Sequence, residues 1–236
     1  MTVLITRPEP GATQTASRLR ALGFDVMLEP LFRIVFETPT TRPIDDYAAV
    51  LFTSRNGVDG LSRLYAPSTL SRLTAFAVGD RTAETARQAG FDTCHSASGT
   101  AHDLHDLIVS SIKDSEKPLL YAAGRDRTGD IEQRLKASGL EVDLAEFYRT
   151  EPSPALAPAT ITALTQGRID SVLLYSRRTA EQFFRLAEQA DIYDGLGSVN
   201  FLCLSETICD YVKGKGHFSC RIAANPDETS LLSLLD

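Results

Sequence analysis

Short apolar runs alternate with amphipathic stretches along the whole chain. Val3-Leu4-Ile5, Phe24 to Leu28, Val50-Leu51-Phe52, Ala75 to Val78, Leu119 to Ala122 and Val172-Leu173-Leu174 are too short for helices of their own and read as buried strands. Between them lie helical patterns. Thr13 to Leu22 places Ala16, Leu19 and Leu22 on one face and stops at Gly23, and Ala83 to Ala89 stops at Gly90. Ala101 to Ile112 turns Leu104, Leu107 and Ile108 inward, after a polar turn at Ser96 to Thr100 with an N-cap residue. Lys113 to Pro118 breaks the pattern, and Ile131 to Ser138 forms a further helix after the polar stretch Ala123 to Asp130. Repeated strand–helix alternation of this kind predicts an α/β protein with parallel sheets.

The pattern also repeats itself. RLRALGFDVMLEPLFR, Arg18 to Arg33, aligns without gaps on RLKASGLEVDLAEFYR, Arg134 to Arg149, at a constant offset of 116 (134 minus 18). AAVLFTSRNGVDGL, starting at Ala48, has the layout of SVLLYSRRTAEQFF, starting at Ser171, with Ser54-Arg55 answered by Ser176-Arg177 at an offset of 122 (176 minus 54). Gly79 to Cys94 matches Ser205 to Cys220 at an offset of 126 (205 minus 79), and Gly90 falls on Gly216. Tandem domains near 1 to 115 and 116 to 236 are one reading. The extended segments Pro30 to Phe36 and Phe147 to Pro154 support another, in which they cross between domains and the first strand-helix-strand unit joins the C-terminal half. Periodicity does not choose between these two.

Composition narrows the function. With 236 residues, 43% hydrophobic and 23% charged, each half can bury a core. No run approaches the roughly 20 apolar residues of a membrane span, and the start MTVLITRPEPG is not a signal peptide, so a cytoplasmic protein without membrane contact is expected. A net charge of −7 argues against nucleic acid. The four cysteines show no C-x-x-C pair and read as ordinary buried or half-buried thiols. His102 and His105, one turn apart in HDLHD, have no third ligand nearby and read as a solvated helix face rather than a metal site.

The polar turns after the strands carry most of the candidate chemistry. Arg7, Arg55, Arg81, Arg125 with Arg127, and Arg177 with Arg178 all stand at strand-to-helix turns, beside the hydroxyls of Thr6, Thr53, Ser54, Thr82, Ser176 and Ser205. Arginine in a surface turn often serves only solubility. Repeated at the carboxyl ends of strands, where open α/β sheets bind ligands, the same residues suit several carboxylates or phosphates. There is no G-x-G-x-x-G, no G-x-x-x-x-G-K-[ST] and no G-x-S-x-G, so dinucleotide, nucleoside-triphosphate and acyl-transfer chemistry lose their main supports.

In order, VLITRP, VLFTSRNGV, FAVGDRTAETARQAGF, LLYAAGRDR, FYRT, VLLYSRRTAEQF and PDETSLLSLL make the chain resemble the uroporphyrinogen-III synthase family from Val3 to Leu235. The resemblance implies two flavodoxin-like α/β domains in the exchanged arrangement, 1 to 35 plus 150 to 236 and 36 to 149. It also implies a two-stranded antiparallel connection and a cleft between the domains. It implies hydroxymethylbilane as substrate, a linear tetrapyrrole rich in carboxylates, which is dehydrated and closed with its last ring inverted to give uroporphyrinogen III. It implies a reaction without cofactor or metal. Ionisation to an azafulvene, attack by the substituted α-carbon of the last ring, a spiro intermediate and re-closure make up the implied route.

Carried over residue by residue, Tyr148 in FYRT assists departure of the hydroxyl; as a structural residue it would be an aromatic plug in the domain connection. Thr82 matches a family threonine, whereas the aligned position in the second half is Ile208, so Thr207 or Ser205 would have to supply that hydroxyl. Arg7, Ser54, Arg55, Thr82, Gly124, Arg125, Ser176, Arg177 and Ser205 are the expected substrate contacts. A monomer is expected, with transient contact with hydroxymethylbilane synthase. The rival readings are a non-catalytic two-lobed module that binds a tetrapyrrole or another polycarboxylate, and a flavodoxin-like FMN or phosphate binder.

Overall fold

A computed structural model describes residues 1–97, 99–112, 116–127 and 129–235. Parts of three expected loops, at Ser98, Lys113 to Ser115 and Thr128, lie outside the described residues. Along the chain the elements are β1 (Thr2–Ile5), α1 (Gly11–Ala21), β2 (Asp25–Leu28), β3 (Phe32–Phe36), β4 (Ala49–Phe52), α2 (Arg55–Ser62) and α3 (Pro67–Leu70). There follow β5 (Thr74–Ala77), α4 (Asp80–Ala89), β6 (Thr93–Ser96), α5 (Ala101–Ser111), β7 (Leu119–Gly124), α6 (Ile131–Ala137) and β8 (Val142–Pro152). The last third holds α7 (Pro158–Thr165), β9 (Ser171–Leu174), α8 (Arg177–Gln189), β10 (Asn200–Cys203), α9 (Glu206–Lys213), β11 (Ser219–Ile222) and α10 (Glu228–Leu232). Among the described residues no helix is long and apolar enough to cross a membrane.

The chain divides into two compact units, Met1–Arg33 with Glu151–Asp236, and Ile34–Thr150. In the first, a five-stranded sheet runs β11-β10-β9-β1-β2, with β1 parallel to both β2 and β9. Val3 lies opposite Ser171 and Val26. In the second, a six-stranded sheet runs β3-β8-β7-β4-β5-β6. Apart from Thr2 and Ser171, which open β1 and β9, the central strands are apolar at every position because both faces are covered. Leu4, Val172 and Leu174 pack on one side with Phe183, Phe184 and Phe201, while Val3, Ile5 and Leu173 pack on the other with Ala12, Ala16 and Leu19. Val50 and Phe52 likewise face away from Ala49 and Leu51.

Local signals account for many of the helix ends. Thr100 caps α5 in a capping box with Asp103. Gly23 and Gly139, related by the 116-residue offset, follow α1 and α6 with φ of +87° and +86°, a conformation that glycine adopts without a Cβ clash. Gly90 ends α4 in the same way, but Gly216, its partner in the repeat, is not among the positive-φ residues. Two strands escape the hydrophobic pattern. β6, TCHS, and β11, SCRI, are edge strands with no fully buried position, so neither carries an apolar run.

The expectation of four free thiols is corrected. Cys209 on α9 and Cys220 on β11 form a disulfide with a Cα–Cα distance of 5.9 Å, leaving Cys94 and Cys203 free. Eleven residues separate the pair in sequence, and it is the packing of α9 on β11 that brings them together. Burial pushes the thiol of Cys203 up to about 12, so it stays protonated beside Cys220.

Helix α2 approaches its sheet through glycines. A Cβ on Gly57 would lie 2.4 Å from the carbonyl oxygen of Ala122, and one on Gly60 would lie 2.8 Å from Cβ of Phe147. Backbone at that distance cannot rotate aside. Gly57→Ala is therefore expected to cost about 2–3 kcal/mol, read as a lowered denaturant midpoint at constant slope. A midpoint equal to wild type would mean that α2 can shift at no cost.

Candidate active site

Each sheet has a point where its strand order reverses. In the first unit the chain runs outward from β1 to β2 on one side and from β9 through β10 to β11 on the other, so the reversal falls between β1 and β9. In the second it runs from β4 to β6 one way and from β7 to β8 the other, so the reversal falls between β4 and β7. Flanking loops part at such points and leave a crevice at the carboxyl ends of the strands. Thr6, Arg7, Tyr175 and Ser176 follow β1 and β9; Thr53, Ser54, Arg55 and Arg125 follow β4 and β7.

In the second unit, Ser54 is the N-cap of α2, and its Oγ accepts from the N–H of Asn56 at 3.2 Å. That use leaves its hydroxyl proton for a ligand. Arg55 opens the helix, one turn before Asp59. Partial burial raises the carboxyl of Asp59 despite the opposing charges of Arg55 and Arg63. Thr53 Oγ1 and the hydroxyl of Tyr121 are 2.9 Å apart across β4 and β7, and burial raises the Tyr121 phenol.

Beside them β8 carries a bulge. Ala123 is opposite Glu146, but Gly124 is opposite Tyr148. The peptide N–H of Arg125 donates to the carbonyl of Tyr148 at 2.8 Å. The ring of Tyr148 lies over Gly124, so that a Cβ there would sit 2.5 to 2.8 Å from its outer atoms, the hydroxyl included. That half-buried hydroxyl has no hydrogen-bond partner among the described residues.

Arg125 is held by Glu37, at 2.9 and 3.0 Å, and by Glu146 at 3.1 Å. Arg127 reaches Glu146 at 3.2 Å, and Arg149 pairs with Glu37. Arg125 and Arg127 border a depression of about 450 Å³ whose lining also includes Tyr121, Ile131 and Glu146. Thr82 lies in the first turn of α4 and is 7% exposed, while Arg81 beside it is exposed.

In the first unit, Arg7 is bound into the protein. Its Nη1 donates to Glu228 of α10 at 2.9 Å, and its guanidinium stacks 4.4 Å from the centre of the Tyr175 ring. Glu228 also accepts from Arg18 at 2.7 Å, from the Tyr175 hydroxyl at 3.1 Å and from the hydroxyl of Thr15. Burial alone would raise the Glu228 carboxyl. The bonds from Thr15 and Tyr175, with Arg7 and Arg18, outweigh it and lower the group below the usual range. Burial pushes Tyr175 up to about 12.

Ser176 caps α8, accepting from the N–H of Thr179 at 3.1 Å, and Arg177 pairs with Glu181 at 2.9 Å. Ser205 begins α9 without a capping bond, 3.0 Å from Thr207 Oγ1, and Ile208 is buried. His102 and His105 share Asp106, at 3.6 and 2.7 Å.

The structure thus brings Ser54, Arg55, Gly124, Arg125 and Tyr148 to neighbouring strand ends of the second unit, and Arg7, Ser176, Arg177 and Ser205 to strand ends of the first. Sequence reading missed the acids. Glu37, Glu146 and Glu228 have no local signal, since each meets its arginine only in the fold. Tyr121 and Tyr175 had one: an aromatic placed just before a polar turn in both LLYAAG and LLYSRR.

Comparison with known proteins bears on the whole arrangement. A family model described as uroporphyrinogen-III synthase HemD matches residues 13–233. A Methanocaldococcus jannaschii protein, provisionally named a uroporphyrinogen-III synthase, is 32% identical over 88 residues, which is 36% of this chain and 37% of that protein. The match thus spans little more than a third of the curated relative. The crystal structure of uroporphyrinogen-III synthetase from Helicobacter pylori superposes over 99% of this chain and 97% of its own, with a TM-score of 0.65 at 17% identity. A mutant uroporphyrinogen III synthase of Thermus thermophilus superposes over 100% and 97%, with a TM-score of 0.51 at 17% identity. At such identities the likeness is one of fold: α/β with parallel sheets.

Proposed function

Because the chain belongs to the HemD uroporphyrinogen-III synthase family, we propose that it converts hydroxymethylbilane to uroporphyrinogen III by dehydrating cyclisation with inversion of the last ring. The observation that carries this reading is the match over residues 13–233, which spans every strand-end residue of the second unit and all those of the first except Thr6 and Arg7. The open phenol of Tyr148 supports it chemically. Tyr148 donates a hydrogen bond or a proton to the departing hydroxyl, which leaves as water. The substituted α-carbon of the last ring then attacks the azafulvene, and the spiro product fragments and recloses inverted. Because the linear substrate can close without inversion in free solution, the protein's task is above all to hold one reactive shape.

Ser54, Arg55, Thr82, Gly124 and Arg125 hold arms of the substrate from the second unit, and Arg7, Ser176, Arg177 and Ser205 from the first. Of the hydroxyls open for the second half, Ser205 is the better placed, since it is not spent on capping α9. The exchanged domains, 1 to 35 plus 150 to 236 against 36 to 149 with a two-stranded antiparallel connection, belong to the same proposal. So do a monomeric state, a cytoplasmic location and transient contact with hydroxymethylbilane synthase.

Isomer analysis tests the reaction. Hydroxymethylbilane is generated in situ by its synthase, the protein is added, and the oxidised uroporphyrins are separated. Isomer III rising in proportion to added protein is expected. Isomer I alone, as in the protein-free control, would overturn the synthase reading in favour of a binding module.

A further inference from the structure

Three arginines and two glutamates interlock where the end of β7 meets β8. Glu37 takes Arg125 through both carboxylate oxygens and Arg149 through one, and Glu146 takes Nε of Arg125 with one oxygen and Arg127 with the other. Main-chain bonds fix the frame. The N–H of Glu37 donates to the carbonyl of Phe147, and that of Arg125 to the carbonyl of Tyr148, both at 2.8 Å. Each acid therefore sits where a carboxylate would sit if a ligand supplied it.

We propose that Glu37 and Glu146 are stand-in carboxylates, which hold Arg125, Arg127 and Arg149 in place beside Tyr148 until acidic substrate arms displace them. This rests on the synthase reading and names two specificity residues for it. Solubility pairs would do for a surface, but Arg125 and Arg127 follow β7, which flanks the reversal in strand order, and with Glu146 of β8 they border the depression there.

The contrast with the first unit separates the two kinds of cluster. Arg7 is 27% exposed, stacked on Tyr175, and held by a carboxylate with four donors. Arg125 is 52% exposed, and although Glu37 and Glu146, at 20% and 35%, are about as exposed as Glu228 at 26%, each takes two donor residues where Glu228 takes four. Exposed pairs of that kind hold each other weakly, so a ligand with several linked carboxylates can exchange with them, each arm raising the effective concentration of the next. Guanidinium groups already ordered by the stand-ins lose less freedom on binding. With three cations against two anions, the group keeps one net positive charge. A ligand with a single carboxylate gains little by exchange.

The test compares wild type with Glu37→Gln, Glu146→Gln and a control, Glu84→Gln, whose ion pair with Arg87 lies within α4. All three variants change net charge equally, and Gln keeps the side-chain volume. KM for hydroxymethylbilane is measured together with the Kd of uroporphyrin III, an octacarboxylate, from its fluorescence over a salt series. Removing one competing anion is expected to lower both constants about fivefold in Glu37→Gln and Glu146→Gln and to steepen their salt dependence. Glu84→Gln should match wild type. Constants in both site variants that equal the control's, or that rise, overturn the proposal. If wild type made no isomer III, the synthase reading would fail on its own, while the uroporphyrin III titrations would still read the arginine cluster.

Discussion

Replacing Tyr148 with Phe is expected to lower the turnover number about 100-fold while leaving KM within about threefold and isomer III dominant. A phenol that aids ionisation by hydrogen bonding or proton donation contributes on the order of 10²-fold or more to such a step. The ring would stay, since its contact with Gly124 is made by carbon atoms as well as by the hydroxyl. Fold and substrate binding should then be largely preserved, and the loss should fall on kcat. Gly124→Ala provides an independent arm. Its Cβ would collide with the end of the Tyr148 side chain, which can swing away, so the phenol is displaced without being removed. A similar drop in turnover with a near-normal unfolding midpoint is expected. Wild-type turnover in Tyr148→Phe would take the residue out of the mechanism and leave it as packing for the β7 and β8 ends.

Glu228→Gln is expected to lower stability by about 2 kcal/mol after allowing for solvent screening at a side chain 26% exposed. One carboxylate ties α10 to α1 and to the ends of β1 and β9 through Arg7, Arg18, Thr15 and Tyr175. The sign with pH follows from the lowered group. Its stabilisation is present above the unfolded value, near 4.5, and is lost as the pH falls through the lower folded value. Wild type should therefore lose more stability than Glu228→Gln on acidification, and the two should converge in acid.

Tyr175 acts at the other end of the scale. Its phenol is raised to about 12, so its contribution is intact below pH 10 and disappears between about 10 and 12, a slope that Tyr175→Phe should lack. Denaturant unfolding across pH measures both. Equal acid slopes in wild type and Glu228→Gln would show that the carboxylate adds nothing to the fold. Arg7 belongs to the same network, so the kinetics of Arg7→Ala as a test of substrate contact must be read beside its stability.

How much of this was legible beforehand differs by element. Ser54, Thr100 and Ser176 act as N-caps where the sequence places polar residues ahead of helical periodicity, because capping reaches only two or three residues along the chain. Gly23, Gly90 and Gly139 end their helices for an equally local reason. β6 and β11 were invisible because an edge strand needs no apolar face pattern. Arg7 was legible as a cation at a strand end, but not as the partner of Glu228, 221 positions away. The Cys209–Cys220 disulfide depends on how α9 lies against β11, which cysteine spacing does not encode.

The α/β class, most central strands and their helices, the repeat, and the turns that carry arginine and hydroxyl groups can all be read along the chain. These follow from periods and end signals that act within one turn or one strand. That β1 lies against β9, that α2 seats its glycines on β7 and β8, and which acid meets which arginine emerge from packing alone. A strand buried on both faces is apolar throughout and carries no mark of its neighbours, and an exposed charge takes whatever partner the fold brings within reach.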